Sequence, residues 1–265
     1  MKNILNEIAE RTKERVAEQK KMISAEEMKR LAEEACVSSD KNRYPFRQAL
    51  SGEGIHLICE VKKASPSKGV IAKEFPYVEI AKDYERGGAS AVSVLTEPYY
   101  FLGSNEYLKQ IRSEIAIPIL RKDFIVEEYQ IYETKTLGAD ACLLICSILS
   151  KEQLKQYLTL AHELGLSALV ETHDEEEIAM AVKAGAGIIG VNNRNLKDFS
   201  VDIGHSQNLR KLVPAETIFV AESGIRNKEQ VAALRKDGVN AVLIGETFMR
   251  APDRAGMVKE FRMET

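Results

Sequence analysis

Eight short runs of β-branched and aliphatic residues recur from Ile55 onward, and this repeat limits the possible fold more than any other feature. They are 55–60 (IHLICE), 91–95 (AVSVL), 117–120 (IPIL), 141–146 (ACLLIC), 167–171 (SALVE), 187–191 (GIIGV), 217–221 (TIFVA) and 240–244 (NAVLI). The mean step is about 26 residues, enough for a strand, a helix and two short loops. The intervening segments carry helical periodicity. Leu154, Leu158 and Ala161 share a face of 151–164, and Ile178, Ala181 and Val182 share one of 175–184. Gly88, Gly138, Gly165, Gly185 and Gly238 each stand just before the next run, where a helix stop favours glycine. The runs are apolar on both faces, as a parallel sheet covered by helices requires. Eight β-α units in series predict an α/β protein, a (β/α)8 TIM barrel over residues 46–265. A doubly wound open sheet is the alternative, but no GxGxxG follows any run.

Residues 1–45 do not share the repeat. Ile4, Ile8 and Val16 form a sparse apolar stripe among charges. Ser24 with Glu27 makes a capping box opening a helix in which Met28, Leu31 and Ala35 share a face. An N-terminal helical extension that docks on the barrel is expected, either as a solvated clamp or as part of the site. The first twenty residues hold no apolar h-region, and no stretch approaches the ~18 apolar residues of a membrane span. A cytoplasmic protein without membrane contact is the expectation. Cys36, Cys59, Cys142 and Cys146 lack CxxC spacing and read as core residues of a reducing compartment. A net charge of −3 leaves no basic footprint for nucleic acid.

In such a barrel the chemistry lies at the C-terminal ends of the strands. The first run ends Glu60-Val61-Lys62-Lys63-Ala64-Ser65-Pro66-Ser67, and alternation puts Glu60 and Lys62 on one side with Lys63 on the other. The later runs end in Leu95-Thr96-Glu97, Arg121-Lys122-Asp123-Phe124, Val170-Glu171-Thr172-His173, Asn192-Asn193-Arg194-Asn195, Ala221-Glu222-Ser223-Gly224 and Ile244-Gly245-Glu246. Two lysines, three glutamates and Asn192 crowding one mouth either pair structurally or shift one another's pKa values, the means by which a lysine becomes a usable acid near neutral pH. Ser223, Gly224, Gly245 and Glu246, at runs seven and eight, suit a phosphate held by backbone N–H groups, with Ser65 adjoining. His56, His162, His173 and His205 are scattered, so no metal is expected, and His173 at a strand end reads as a capping residue. No GxSxG elbow or P-loop occurs.

Taken in order, these strings, with Phe101, Gly103 and Ser104 after the second run, resemble the indole-3-glycerol phosphate synthase family over essentially the whole chain. The resemblance implies cyclisation, decarboxylation and dehydration of 1-(2-carboxyphenylamino)-1-deoxyribulose 5-phosphate in tryptophan biosynthesis, with no cofactor. It makes Lys122 the acid that protonates the ketone oxygen as an aromatic carbon attacks. Lys62 seats the ring carboxylate with Asn192 and Arg194 nearby, and Glu171 is the base of dehydration with either lysine as acid. Glu60 and Glu222 orient these groups. Phe101 and Phe124 hold the aniline ring, lidded by Ile4, Leu5 or Ile8. Asn193 and Glu246 stand where some members carry serine, so a serine contact to phosphate is lost at Glu246. Such an enzyme is expected to act as a monomer on a phosphorylated small molecule. A sugar-phosphate isomerase or Schiff-base aldolase with a lysine nucleophile, and a phosphate-binding barrel without catalysis, are the competing readings.

Overall fold

The structure is a computed structural model that describes residues 4–38, 44–195 and 199–263. Eight parallel strands close into a barrel: β1 (His56–Val61), β2 (Ala91–Leu95), β3 (Ile119–Lys122), β4 (Ala141–Ile145), β5 (Ser167–Thr172), β6 (Ile188–Asn192), β7 (Ile218–Glu222) and β8 (Ala241–Ile244). Each strand pairs with the next, and β8 returns to β1 through His56 opposite Ala241 and Cys59 opposite Ile244. The barrel predicted by the repeat is the fold observed. The third strand lies two residues later than its apolar run suggests. Pro118 has no N–H to give a ladder, and its carbonyl only accepts from the Val92 amide.

Two cores follow from strand alternation. Ile58, Ala91, Leu120, Ala141, Leu143, Leu169, Ile188, Val220, Ala241 and Leu243 point into the lumen and pack on one another. Their neighbours in sequence, such as Leu57, Cys59, Val92, Val94, Cys142, Leu144, Ile189 and Val242, point outward into the layer between sheet and helices. Continuing the lumen rows by two residues brings Glu60, Lys122, Glu171 and Glu222 to the mouth, and by four residues Lys62 and Asn192. The hydrophobic filling below them keeps these charges at the mouth.

The outer helices include α4 (Tyr77–Gly87), α5 (Asn105–Arg112), α6 (Glu128–Thr136), α7 (Lys151–Glu163), α8 (Glu175–Ala184), α9 (Gly204–Arg210), α10 (Lys228–Lys236), α11 (Glu246–Met249) and α12 (Arg254–Met263). All five glycines expected to end helices take positive φ, between 71° and 88°. Before them come α1 (Ile4–Met22), α2 (Ala25–Ser38) and α3 (Pro45–Ala49). The Glu27 amide donates to Ser24 Oγ at 3.2 Å, which is one half of the expected capping box, while the Glu27 carboxylate accepts from Arg30. Residues 1–3 and 39–43 of the expected extension lie outside the described residues. Leu5 and Ile8 of α1 and Phe46 and Leu50 at α3 all join the lumen core. The first pair sits at the mouth. The second sits at the opposite end, where the Arg47 amide donates to Ser167 Oγ at the start of β5.

Candidate active site

A cavity of about 720 Å³ opens at the C-terminal ends of the strands. Every site residue named from the sequence lines it: Glu60, Lys62, Ser65, Phe101, Lys122, Phe124, Glu171, Asn192, Arg194, Glu222, Ser223, Gly224, Gly245 and Glu246. Lys62 and Lys122, from β1 and β3, therefore face one space.

At its floor, Lys122 Nζ donates to Glu171 Oε2 at 2.8 Å and to Glu222 Oε2 at 3.2 Å. Lys62 is ion-paired with Glu60. Asn192 Nδ2 donates to Glu171 Oε1 at 3.2 Å, while Asn192 Oδ1 accepts from the Arg194 amide at 3.0 Å. Asn192 therefore fixes the carboxylate that faces Lys122. Arg194 donates to the Phe199 carbonyl.

Two glycines make room for this arrangement. A Cβ at Gly190 would collide with Glu222 Oε1, and one at Gly245 would collide with Glu60 Oε1 and stand 3.0 Å from Lys62 Nζ. Both lie on inward rows, so the missing side chains are the space that the carboxylates occupy.

The charges move one another's protonation in a different direction from the sequence expectation. Burial opposes the Lys122 ammonium, but Glu171, Glu222 and Glu60 outweigh it and hold Lys122 above the ordinary lysine range. Burial likewise opposes the Glu171 carboxylate, and Lys122 with His173 overcomes it, so Glu171 stays ionised. Glu222 is the group brought toward neutrality. Burial raises it, Lys122 only partly offsets that, and the neighbouring Glu171 and Glu60 carry it up to about 7. Two carboxylates cannot both claim one ammonium fully, and the crowding falls on the more buried of them.

The wall beside Lys122 is apolar. Phe101 and Phe124 lie with ring centroids 6.0 Å apart at 38°, and Ile4, Leu5, Ile8, Leu95, Leu143 and Ile145 complete the surface. Helix α1 is held over it by a row spaced four residues apart. Glu7 accepts from the Tyr100 hydroxyl at 2.8 Å, the Arg11 guanidinium lies 4.2 Å from the Tyr99 ring centre, and Arg15 donates to both Asp123 oxygens at 2.9 and 3.0 Å. Asp123 also accepts from Thr96 Oγ1 and from the buried Arg121.

At the other end, Ser223 adopts φ 69° and Gly224 φ 81°, so the chain turns sharply after β7. The Glu246 carboxylate lies 3.8 Å from Lys68 and 3.1 Å from Arg250. Among the described residues no group of His, Cys, Asp and Glu is arranged to hold a metal ion.

The chain matches the family described as indole-3-glycerol phosphate synthase over residues 5–261. It belongs to that family. Proteins named indole-3-glycerol phosphate synthase from Endomicrobium trichonymphae and Lachnoclostridium phytofermentans are 54% and 51% identical to it. Each alignment covers 98% of this chain, with 99% and 98% of the respective relatives. Among solved structures, 3-hexulose-6-phosphate synthase from Salmonella typhimurium superposes with a TM-score of 0.65 at 15% identity, covering 79% of this chain and 98% of that one. Thiamine phosphate pyrophosphorylase from Pyrococcus furiosus does so with 0.61 at 19%, covering 83% and 96%. At these identities the two structures show a shared fold and nothing further.

For this indole-3-glycerol phosphate synthase family member, several site residues carry no sequence signal of their own. Lys68 and Arg250 are ordinary surface cations in a string, and only the fold turns them toward one cavity. Gly190 reads as a weak point in a strand; its inward parity next to β7 gives the reason for it. Arg15 sits among other charges of α1, and the four-residue spacing of Glu7, Arg11 and Arg15 was the available clue.

Proposed function

We infer that the chain is an indole-3-glycerol phosphate synthase, a carboxy-lyase that converts 1-(2-carboxyphenylamino)-1-deoxyribulose 5-phosphate to indole-3-glycerol phosphate, carbon dioxide and water. The observation that carries the division of labour is the Lys122 ammonium held between Glu171 and Glu222 beneath an apolar wall. The aniline ring lies against Phe101 and Phe124. Its carboxylate-bearing carbon attacks the ketone, and Lys122 gives a proton to the oxygen as negative charge develops there. An ammonium held this firmly is a poor amine nucleophile, which weighs against Schiff-base chemistry. Developing alkoxide is basic enough to take the proton nonetheless. Loss of carbon dioxide returns its bonding pair to the ring and restores aromaticity. Glu171 then removes a proton from substrate C1 while Lys62, paired with Glu60, protonates the departing hydroxyl. The scissile carboxylate sits on Lys62 before it leaves, with Asn192 and Arg194 beside it.

The phosphate lies against Ser65, Ser223, Gly224 and Gly245, drawing Lys68 and Arg250 away from Glu246. No organic cofactor is needed, because the cyclised intermediate is itself the electron sink. The residues given roles here all stand at the mouth of a single barrel, which supports the monomer as the acting unit. The cytoplasm suits four free cysteines, and among the described residues no helix is long and apolar enough to cross a membrane.

Incubation with the carboxyphenylamino deoxyribulose phosphate is the direct test, read as indole fluorescence with released carbon dioxide. In Lys122→Met, kcat falls at least ~10³-fold while substrate still binds, because only the transition state loses its acid. A Lys122→Met protein retaining a tenth of the parent kcat overturns this assignment.

A further inference from the structure

Glu97, which follows β2, takes no part in the proton transfers at Lys122, Lys62 and Glu171. It is 1% exposed, and its carboxylate is met by three consecutive backbone amides. Tyr99 donates to Oε1 at 2.9 Å, and Tyr100 and Phe101 donate to Oε2 at 2.7 and 2.9 Å. Convergent amides of this kind form a nest for a negative charge. The segment also closes on itself through backbone bonds. The Gly103 amide donates to the Glu97 carbonyl at 2.7 Å, and the Ser104 amide to the Leu95 carbonyl at 3.4 Å, before α5 begins. Leu102 takes φ 51° there, a conformation that a leucine enters only when its surroundings impose it. A Cβ at Gly103 would lie 2.9 Å from the Glu97 carbonyl oxygen, so the turn as built admits no larger residue.

The side chains that project from this turn build the mouth of the barrel. Phe101 enters the cavity against Phe124, Tyr100 binds Glu7 of α1 through its hydroxyl, and the Tyr99 ring lies under Arg11. These are the same three residues whose amides Glu97 holds. A side chain's direction follows from its backbone, so the carboxylate sets where the Phe101 ring stands. Aromatic contact depends on that placement, because the favourable arrangements are offset or edge-to-face over a narrow range of separations. A glutamine cannot do the same. It offers one oxygen, and its NH2 group confronts an amide N–H, donor against donor.

We propose that Glu97 is a positioning residue for the substrate's aniline ring, fixing Phe101 through the amides of residues 99–101. It touches no reacting atom and moves no proton. Tyr99 and Tyr100 are held by the same carboxylate, but they seat α1 from outside, and the ring of the substrate meets Phe101. That contact is made alike before and during ring closure. Its loss therefore weakens binding more than it slows the chemistry, and falls on KM rather than kcat.

This inference rests on the enzymatic reading, and the test separates the two. In Glu97→Gln, KM for the carboxyphenylamino deoxyribulose phosphate should rise about ten-fold, with kcat within about three-fold of the parent. Glu97→Asp keeps the charge but is a methylene short of the amides, so it should not restore KM. Phe101→Ala supplies the control. With that ring gone, adding Glu97→Gln should raise KM by no more than about two-fold further. KM increases that multiply would mean that Glu97 acts on something other than Phe101, and the proposal falls. A parent-like KM in Glu97→Asp would show that charge alone suffices. A kcat loss exceeding the KM rise would place Glu97 in the chemistry itself, and either result overturns the positioning role. A Glu97→Gln protein that fails to fold, or that melts earlier with KM unchanged, overturns it in favour of stability alone. A parent protein that makes no indoleglycerol phosphate overturns the enzymatic reading instead.

Discussion

Glu222 and Glu246 are carboxylates set at the two ends of one cavity, and each has a measurable cost. Glu222 is buried, with Oε1 lacking a partner among the described residues, and its proton is held up to about 7. A carboxyl whose folded-state pKa is raised favours the fold below its unfolded value near 4.5 and loses that contribution as pH climbs through the folded one. Glu222→Gln removes the titration. Its stability relative to the parent should therefore rise between pH 4.5 and pH 8, by on the order of 2 kcal/mol, while kcat falls. Thermal melts of both proteins at the two pH values check this, and parallel melting curves would contradict it. Glu246 meets the incoming phosphate with like charge and occupies its cations, Lys68 and Arg250. Glu246→Ser should lower KM for substrate several-fold, about 1 kcal/mol, with kcat nearly unchanged. Both strand-end positions were readable beforehand; what was not is the protonation of Glu222. Its shifted proton depends on which carboxylate is packed deepest, and no sequence pattern carries that.

The strands were legible because burial on both faces writes a continuous apolar run, and the glycine stops because a left-handed residue excludes most side chains. The shift of β3 was not, since Ile117 and Pro118 look like strand until the missing N–H is set against the ladder. Helix α1 shows a deeper limit. Its buried row of Leu5, Ile8, Thr12 and Val16 is weakly apolar, and what docks it is the adjoining polar row ending in Arg15 on Asp123. Arg15 is 11% exposed at its side chain and Asp123 not at all, so the pair is shielded from solvent screening. Arg15→Ala leaves Arg121 as the one cation paired with Asp123 among the described residues. A loss of about 2 kcal/mol in stability is expected, with KM about ten-fold higher because Leu5 and Ile8 are no longer held over the aromatic wall. An unchanged KM in a destabilised protein would show that α1 docks for stability only.

Across the whole molecule, one segment closes both ends of the barrel. Leu5 and Ile8 cover the mouth, while Phe46 and Leu50 pack into the lumen from below. Phe46 is fully buried and far along the lumen from Lys122, so Phe46→Ala should cost about 3–4 kcal/mol without altering kcat at a temperature where the variant stays folded. A fall in kcat at that temperature would mean that the lower plug communicates with the catalytic floor. The closure at both ends also has a consequence for synthesis on the ribosome. Arg15 and Asp123 are separated by 108 positions, so α1 leaves the exit tunnel well before the residues it will grip have been translated. The nascent chain carries α1 undocked through the making of β1 and β2, and the entrance of the barrel cannot be covered until β3 and Asp123 have followed them.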